Sequence, residues 1–182
     1  EADIFNVSMA GDITQITDYP GSESSPVVSP NGEMIAYSRR DDRKLAYRNR
    51  YLHVMDSDGN NDRNLTTDID NSVSNFVWKD NAGVYFQQMV RGITQVDYVT
   101  LKGRHSAIAT GLSGVSLGRP YTSGTFHAAD GTVAYTKGRT DRPADLFVKR
   151  SRDEQQLTQL NEDLFGHKTL GEVKEIVYQS SI

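Results

Sequence analysis

Ser25-Pro26-Val27-Val28-Ser29-Pro30-Asn31-Gly32-Glu33-Met34-Ile35-Ala36-Tyr37-Ser38 is a pair of short runs folded back on one turn. Ser25–Ser29 and Met34–Ser38 are rich in β-branched, apolar and aromatic residues and read as strands. Pro30-Asn31-Gly32 supplies the turn, because Gly reaches positive φ without steric cost. Tyr51–Met55 alternates apolar and polar side chains with period two and forms a third strand. Asp58-Gly59 then turns the chain into a short outer strand closed by Leu65-Thr66. The unit from about Asp18 to Thr66 is therefore four strands joined largely by tight turns.

The same ending recurs at Ile16-Thr17, Ala109-Thr110 and Leu157-Thr158, so successive threonines lie 49, 44 and 48 residues apart. That spacing is close to the period of β-propeller blades. A repeat of this kind cannot bury its apolar faces alone and must stack on its neighbours. The second repeat (67–110) offers Val73–Trp78, a turn at Asp80-Asn81-Ala82-Gly83, Val84–Gln88, Gln95–Leu101, a Lys102-Gly103 turn and Ser106–Thr110. The third (111–158) offers Thr125–Ala128, an Asp130-Gly131 turn, Val133–Thr136, Asp145–Lys149 and Gln155–Thr158. Ahead of them, Asp3–Met9, the Gly11-Asp12 turn and Ile13–Thr17 form the back half of a blade (1–17). The expected fold is all-β, a partial β-propeller of a half blade plus three four-stranded blades, about fourteen strands. Residues 159–182 do not restart the repeat. There Leu160–Phe165 reads as a helical turn and Val173–Gln179 as a further strand. With a half blade first, no initiator Met and no signal-peptide pattern, the sequence reads as a piece of a longer polypeptide.

Composition narrows the function. Hydrophobic content of 36% with a mean hydropathy of -0.58 describes a polar surface, and no apolar run approaches the roughly 20 residues of a membrane span. A net charge of -4 lacks the basic footprint of nucleic-acid binding. The absence of cysteine excludes a disulfide scaffold and a thiolate metal site, and leaves cytoplasm and periplasm both open. No cofactor is expected.

The run Ser25–Tyr37 resembles the signature of TolB-type propeller repeats, roughly "SP-x-x-SPDG-x-x-IAF", and Tyr51–Thr66 looks like its continuation. Asp130-Gly131-Thr132-Val133-Ala134-Tyr135, Arg142-Pro143-Ala144-Asp145-Leu146-Phe147-Val148 and Gln156-Leu157-Thr158 are similar to the last propeller blade of the prolyl oligopeptidase family. The branch they resemble most is the acylaminoacyl-peptidase and dipeptidyl-aminopeptidase types. In those types a stretch like Leu157-Thr158-Gln159-Leu160-Asn161-Glu162-Asp163-Leu164, followed by Leu170-Gly171-Glu172 and Ile176-Val177-Tyr178, leads into an α/β-hydrolase domain. The resemblance implies a non-catalytic propeller segment (1–158) and a connector (159–182) toward a serine-peptidase domain that lies outside this sequence.

Several motifs suggest chemistry and are better read otherwise. Gly114-Val115-Ser116-Leu117-Gly118 matches the GxSxG nucleophile elbow, which needs a strand-to-helix turn. Arg119-Pro120 leads instead toward another strand, so the glycines read as those of an inter-blade loop. Asp56–Asp62 lacks the Gly and Glu positions of an EF-hand loop and reads as a hairpin turn. His53, His105, His127 and His167 share no ligand spacing.

The arginines are the remaining candidates. In an up-and-down blade the loop between second and third strands shares a face with the blade-to-blade connections, and the tight Gly turns lie opposite. The cationic run Arg39-Arg40-Asp41-Asp42-Arg43-Lys44 is assigned to such a loop. The loop face would then carry Arg39, Arg40, Arg43, Arg91, Arg119, Arg139 and Arg142. Given the resemblance, Arg40, Arg91, Arg119, Arg139 and Arg142 are the candidates for gating a peptide substrate through its carbonyls or carboxylates. The competing expectation is a solvated loop paired with its own Asp41, Asp42 and Asp141.

Two functions follow. One is a propeller that covers a hydrolase active site and admits short peptides. Its partners would be the hydrolase domain of the same polypeptide and those peptides. The other is a TolB-like module that binds a protein. In either case, open blade faces and strand edges favour self-association, such as two three-and-a-half-blade arcs approximating a ring.

Overall fold

The strands assemble where apolar side chains alternate, and the computed structural model of the chain describes residues 2–41, 45, 47–114, 123–139 and 142–180. Fourteen strands and one helical turn lie among them. They are β1 (Phe5–Val7) and β2 (Ile13–Gln15); β3 (Gly21–Val28), β4 (Met34–Asp41), β5 (Tyr51–Asp56) and β6 (Arg63–Asn64); β7 (Val73–Asp80), β8 (Gly83–Val90), β9 (Ile93–Thr100) and β10 (His105–Leu112); then β11 (Phe126–Ala129), β12 (Thr132–Arg139), β13 (Arg142–Arg150), β14 (Asp153–Gln156) and α1 (Glu162–Phe165). Each group of four is an antiparallel meander, and β1–β2 is a two-stranded ladder. The fold is all-β, a half blade followed by three blades.

Stacking of the blades builds the core. Ala36, Leu52 and Val54 of the first full blade pack with Phe76, Trp78, Val84 and Phe86 of the second. Tyr85 and Val96 on the opposite face of the second blade meet Val133 and Tyr135 of the third. Ile35, Tyr37 and Met55 pack with Ile4 and Ile16 of the half blade. Tyr37, Leu52 and Phe86 are fully buried, and each large apolar side chain contributes about 1.5–3 kcal/mol. Polar links add register between blades: Trp78 Nε1 donates to the Val27 carbonyl at 2.8 Å, and the Asn31 amide donates to Asn81 Oδ1 at 3.1 Å.

The innermost strands share one irregularity. In β3 the ladder to β4 shifts between Ser24 and Val27, and in β7 the ladder to β8 shifts between Ser74 and Val77. The bulged residues Ser25 and Asn75 both have positive φ, 56° and 52°. In the third blade the same site holds an insertion. Leu112 pairs with Lys137 and the Ser113 amide donates to the Thr136 carbonyl, whereas Phe126 pairs with Tyr135. Leu112-Ser113 thus takes the place of the first half of an innermost strand, and β11 is its second half. At the base of the insertion a Cβ on Gly114 would lie 1.8 Å from Ser123 Oγ, and one on Gly124 would lie 3.0 Å from the Ser113 amide. Only glycines fit that neck.

Three sequence expectations are corrected. Arg39, Arg40 and Asp41 belong to β4 and not to the following loop, because their side chains or backbones are satisfied within the blade. The innermost strand of the third repeat begins before Thr125, at Leu112. Val173–Gln179 is not a strand: no ladder partners it, and Ile176, Val177 and Tyr178 are 81%, 86% and 83% exposed. The hairpin reading of Asp56–Asp62 agrees with the structure, where Asp58 accepts from the Asn60 amide at 3.0 Å and Gly59 has φ 91°. Val115–Gly118 of the GxSxG match, with Asp42, Arg43, Arg119 and Asp141, lies outside the described residues.

Candidate functional site

The densest polar constellation is one the sequence reading missed. Arg39 lies opposite Glu23 in the β3–β4 register, two residues beyond Tyr37 and so on the same blade face. Its Nε donates to Glu23 Oε1 at 3.0 Å, Nη1 to Asp62 Oδ2 at 2.6 Å and Nη2 to the Tyr37 hydroxyl at 2.7 Å. The guanidinium stacks on the Tyr19 ring, 4.3 Å from its centroid. Tyr37 donates to Asp62 Oδ1 at 2.7 Å, and His53 Nδ1 lies 3.0 Å from the same oxygen.

Burial sets the electrostatics. It raises the pKa of Glu23, with the Arg39 charge opposing, and Glu23 Oε2 is buried without a hydrogen bond. Burial lowers the pKa of His53, with Asp62 opposing. At Asp62 burial pushes upward, but hydrogen bonds from Tyr37 and His53 and the Arg39 charge hold the carboxyl below its ordinary value. Burial and the bond to Asp62 push the Tyr37 phenol far up. Both Asp62 oxygens and all three guanidinium nitrogens are engaged, so the array serves to tie strands together.

The third blade repeats the device. Tyr135 and Lys137 stand where Tyr37 and Arg39 do, and Glu154 stands where Asp62 does. The Tyr135 hydroxyl donates to Glu154, and Lys137 Nζ reaches Glu154 Oε2 at 2.5 Å. The second blade has Phe86 and Gln88 at these positions and lacks the phenol; Gln88 and Gln95 donate instead to Asp97. A Tyr-x-cation pair on the second strand, with an acid ahead of or on the short fourth, was the legible signal.

The gating candidates are spread over the loop face. Arg40 lies on β4 opposite Ser22, and exposed Arg91 lies in the β8–β9 turn with φ 51°. Arg139 ends β12 and Arg142 begins β13, directly opposite each other. Arg142 Nη1 is paired with Glu162 Oε1 at 2.6 Å. These last two, with Lys137, Asp145 and Glu162, line a cavity of about 330 Å3 beside α1. The topology thus puts four of the five at one end of the blades, in three different blades, and joins only Arg139 and Arg142 in one pocket. Asp41 lies 3.7 Å from Arg48.

No protein-family model matches the chain, and no curated protein matches its sequence. Among solved structures, it is similar to the acylaminoacyl peptidase of Pyrococcus horikoshii with TM-score 0.70 and 23% identity, over 92% of this chain and 24% of that one. The β-propeller domain of the Trilobed protease from Pyrococcus furiosus matches with TM-score 0.66 and 22% identity, over 91% of this chain and 46% of that domain. TolB from Acinetobacter baumannii matches with TM-score 0.58 and 16% identity, over 86% and 37%. The fold is that of the TolB-like propellers carried by such peptidases. The chain spans about a quarter of the acylaminoacyl peptidase's length.

Proposed function

We propose that this chain is a propeller segment of a prolyl-oligopeptidase-family serine peptidase, gating the access of short peptides to a hydrolase domain in the same polypeptide. The observation that carries the reading is the likeness to the acylaminoacyl peptidase over 92% of the chain. The connector-like sequence 159–182 after the third blade supports it, because a TolB-like binding module has no need of such a link. Gating is steric: stacked blades with a narrow channel admit extended peptides and refuse folded ones. On this reading the segment itself is non-catalytic, and Arg40, Arg91, Arg119, Arg139 and Arg142 are the candidates that would steer peptide carbonyls or carboxylates. In the segment alone, the groove of about 330 Å3 lined by Ile4, Phe5, Ile16, Pro26, Val28 and Ile35 offers an apolar surface for self-association.

The reading frame that encodes the chain tests this. Continuation into an α/β-hydrolase domain with a nucleophile-elbow Ser, an Asp and a His supports the reading. A frame that encodes no such domain overturns it in favour of the binding module.

A further inference from the structure

On the loop face, a pocket of about 410 Å3 lies between the second blade and the neck of the third-blade insertion. It forms where the repeat is most altered. The bulge at Asn75 faces the site at which the third blade carries residues 114–124 in place of a simple bulge. Ser74, Asn75, Gln87, Gln88, Thr94 and Ser123 are among its walls, and none of the described lining residues is ionisable. In a chain whose charged content is 24%, a described wall of uncharged polar residues on the face that also bears arginines is a distinct chemical environment.

Its carboxamides are held in place. Gln87, 6% exposed, accepts from Asn75 Nδ2 and donates through Nε2 to the Gly124 carbonyl at 3.0 Å. Gln88 donates to Asp97. The Thr94 hydroxyl, on a residue 4% exposed, has no hydrogen-bond partner. Asn75 and Ser74 stand at the accessible rim. Such a wall offers neutral donors and acceptors side by side, which is the complement of an amide group. Among the described lining residues there is no aromatic ring to stack on a flat or sugar-like ligand.

We propose that this pocket binds a neutral amide of a peptide, in the main chain or in an Asn or Gln side chain, as the peptide crosses the loop face. The proposal rests on the peptide-gating reading and adds to it a recognition site whose described walls carry no arginine. Gln87 positions Asn75 and the Gly124 carbonyl, and Asn75 and Ser74 make the contacts. Binding by a few hydrogen bonds at an open pocket gives a dissociation constant on the order of 1 mM.

Titration of the 15N-labelled chain with N-acetyl-triglycine amide, followed by NMR, tests it. Saturable shifts of the Asn75 and Gln87 side-chain amides and the Gly124 backbone amide are expected, with at least fivefold weaker binding in Asn75→Gly. That substitution removes the carboxamide and keeps the positive φ available. Ser74→Ala, which leaves the bulge untouched, is expected to weaken binding at least twofold. Absence of saturable shifts at these amides, equal binding by both variants, or tighter binding of maltose than of the peptide would overturn the proposal. None of these outcomes bears on whether the reading frame encodes a hydrolase, so the two readings fail separately.

Discussion

Arg39 shows how one residue fixes a blade. It neutralises Glu23, whose side chain is fully buried, and ties it to Asp62 near the opposite edge of the sheet. Removing one partner of a buried pair leaves an uncompensated charge, whereas removing both can be nearly neutral. Arg39→Ala is expected to cost about 3 kcal/mol in urea unfolding, and Glu23→Leu in that background to recover much of the loss. His53 adds a pH dependence. Its folded pKa is lowered from 6.5, so the unfolded chain takes up a proton first and stability falls as pH drops below about 6.5. Asp62 acts at lower pH: its depressed pKa gives stability that is present above the ordinary carboxyl value and lost as pH falls through the folded one. The urea midpoint should therefore drop from pH 7.5 to pH 5.5 in the wild type and drop less in His53→Gln. An equal drop in the variant would remove His53 as the cause.

At the scale of elements, the stacked strands tolerate little change in close contacts. A Cβ on Gly83 would lie 2.4 Å from the Val99 carbonyl oxygen in the paired strand β9. Gly83→Ala should cost about 2 kcal/mol by forcing β8 and β9 apart, while Gly171→Ala, with open space around it, should leave the thermal midpoint unchanged. The strand centres are legible in the sequence because Met34–Ser38, Tyr51–Met55 and Val84–Gln88 combine apolar content with turn residues at their ends. Strand ends are less so. Arg39 and Arg40 look like loop residues until Glu23, Asp62 and Ser22 are known to face them, and those partners are remote in sequence. The split innermost strand of the third blade is hidden for a related reason: Leu112-Ser113 follows directly from β10 and reads as its tail. Val173–Gln179 errs the other way, since a run of β-branched and aromatic residues makes a strand only when another strand pairs with it. Of the candidate site, the shared end of Arg40, Arg91, Arg139 and Arg142 is legible from blade topology. The Tyr37–Arg39–Asp62 tie and the Asn75–Gln87–Gly124 contacts depend on cross-strand register that no single segment reveals.

For the whole molecule, the blades stack face to face and leave the half blade at one end. Phe5, Val7 and Ile13 are 51%, 61% and 69% exposed there, beside the apolar groove under β1 and β3. Exposed apolar surface with open strand edges favours association. Light scattering at micromolar concentration should show a dimer or larger species, and a monodisperse monomer would count against it. The proposed function, in which this segment selects peptides by size for a hydrolase domain, is tested on the longer polypeptide that the proposal requires. The most direct measurement compares that polypeptide with a form lacking the propeller, using a short blocked peptide and a folded protein as substrates. If the proposed function holds, the longer polypeptide cleaves the peptide and spares the folded protein, and removing the propeller abolishes the discrimination. Equal cleavage of both substrates by the complete polypeptide would contradict it.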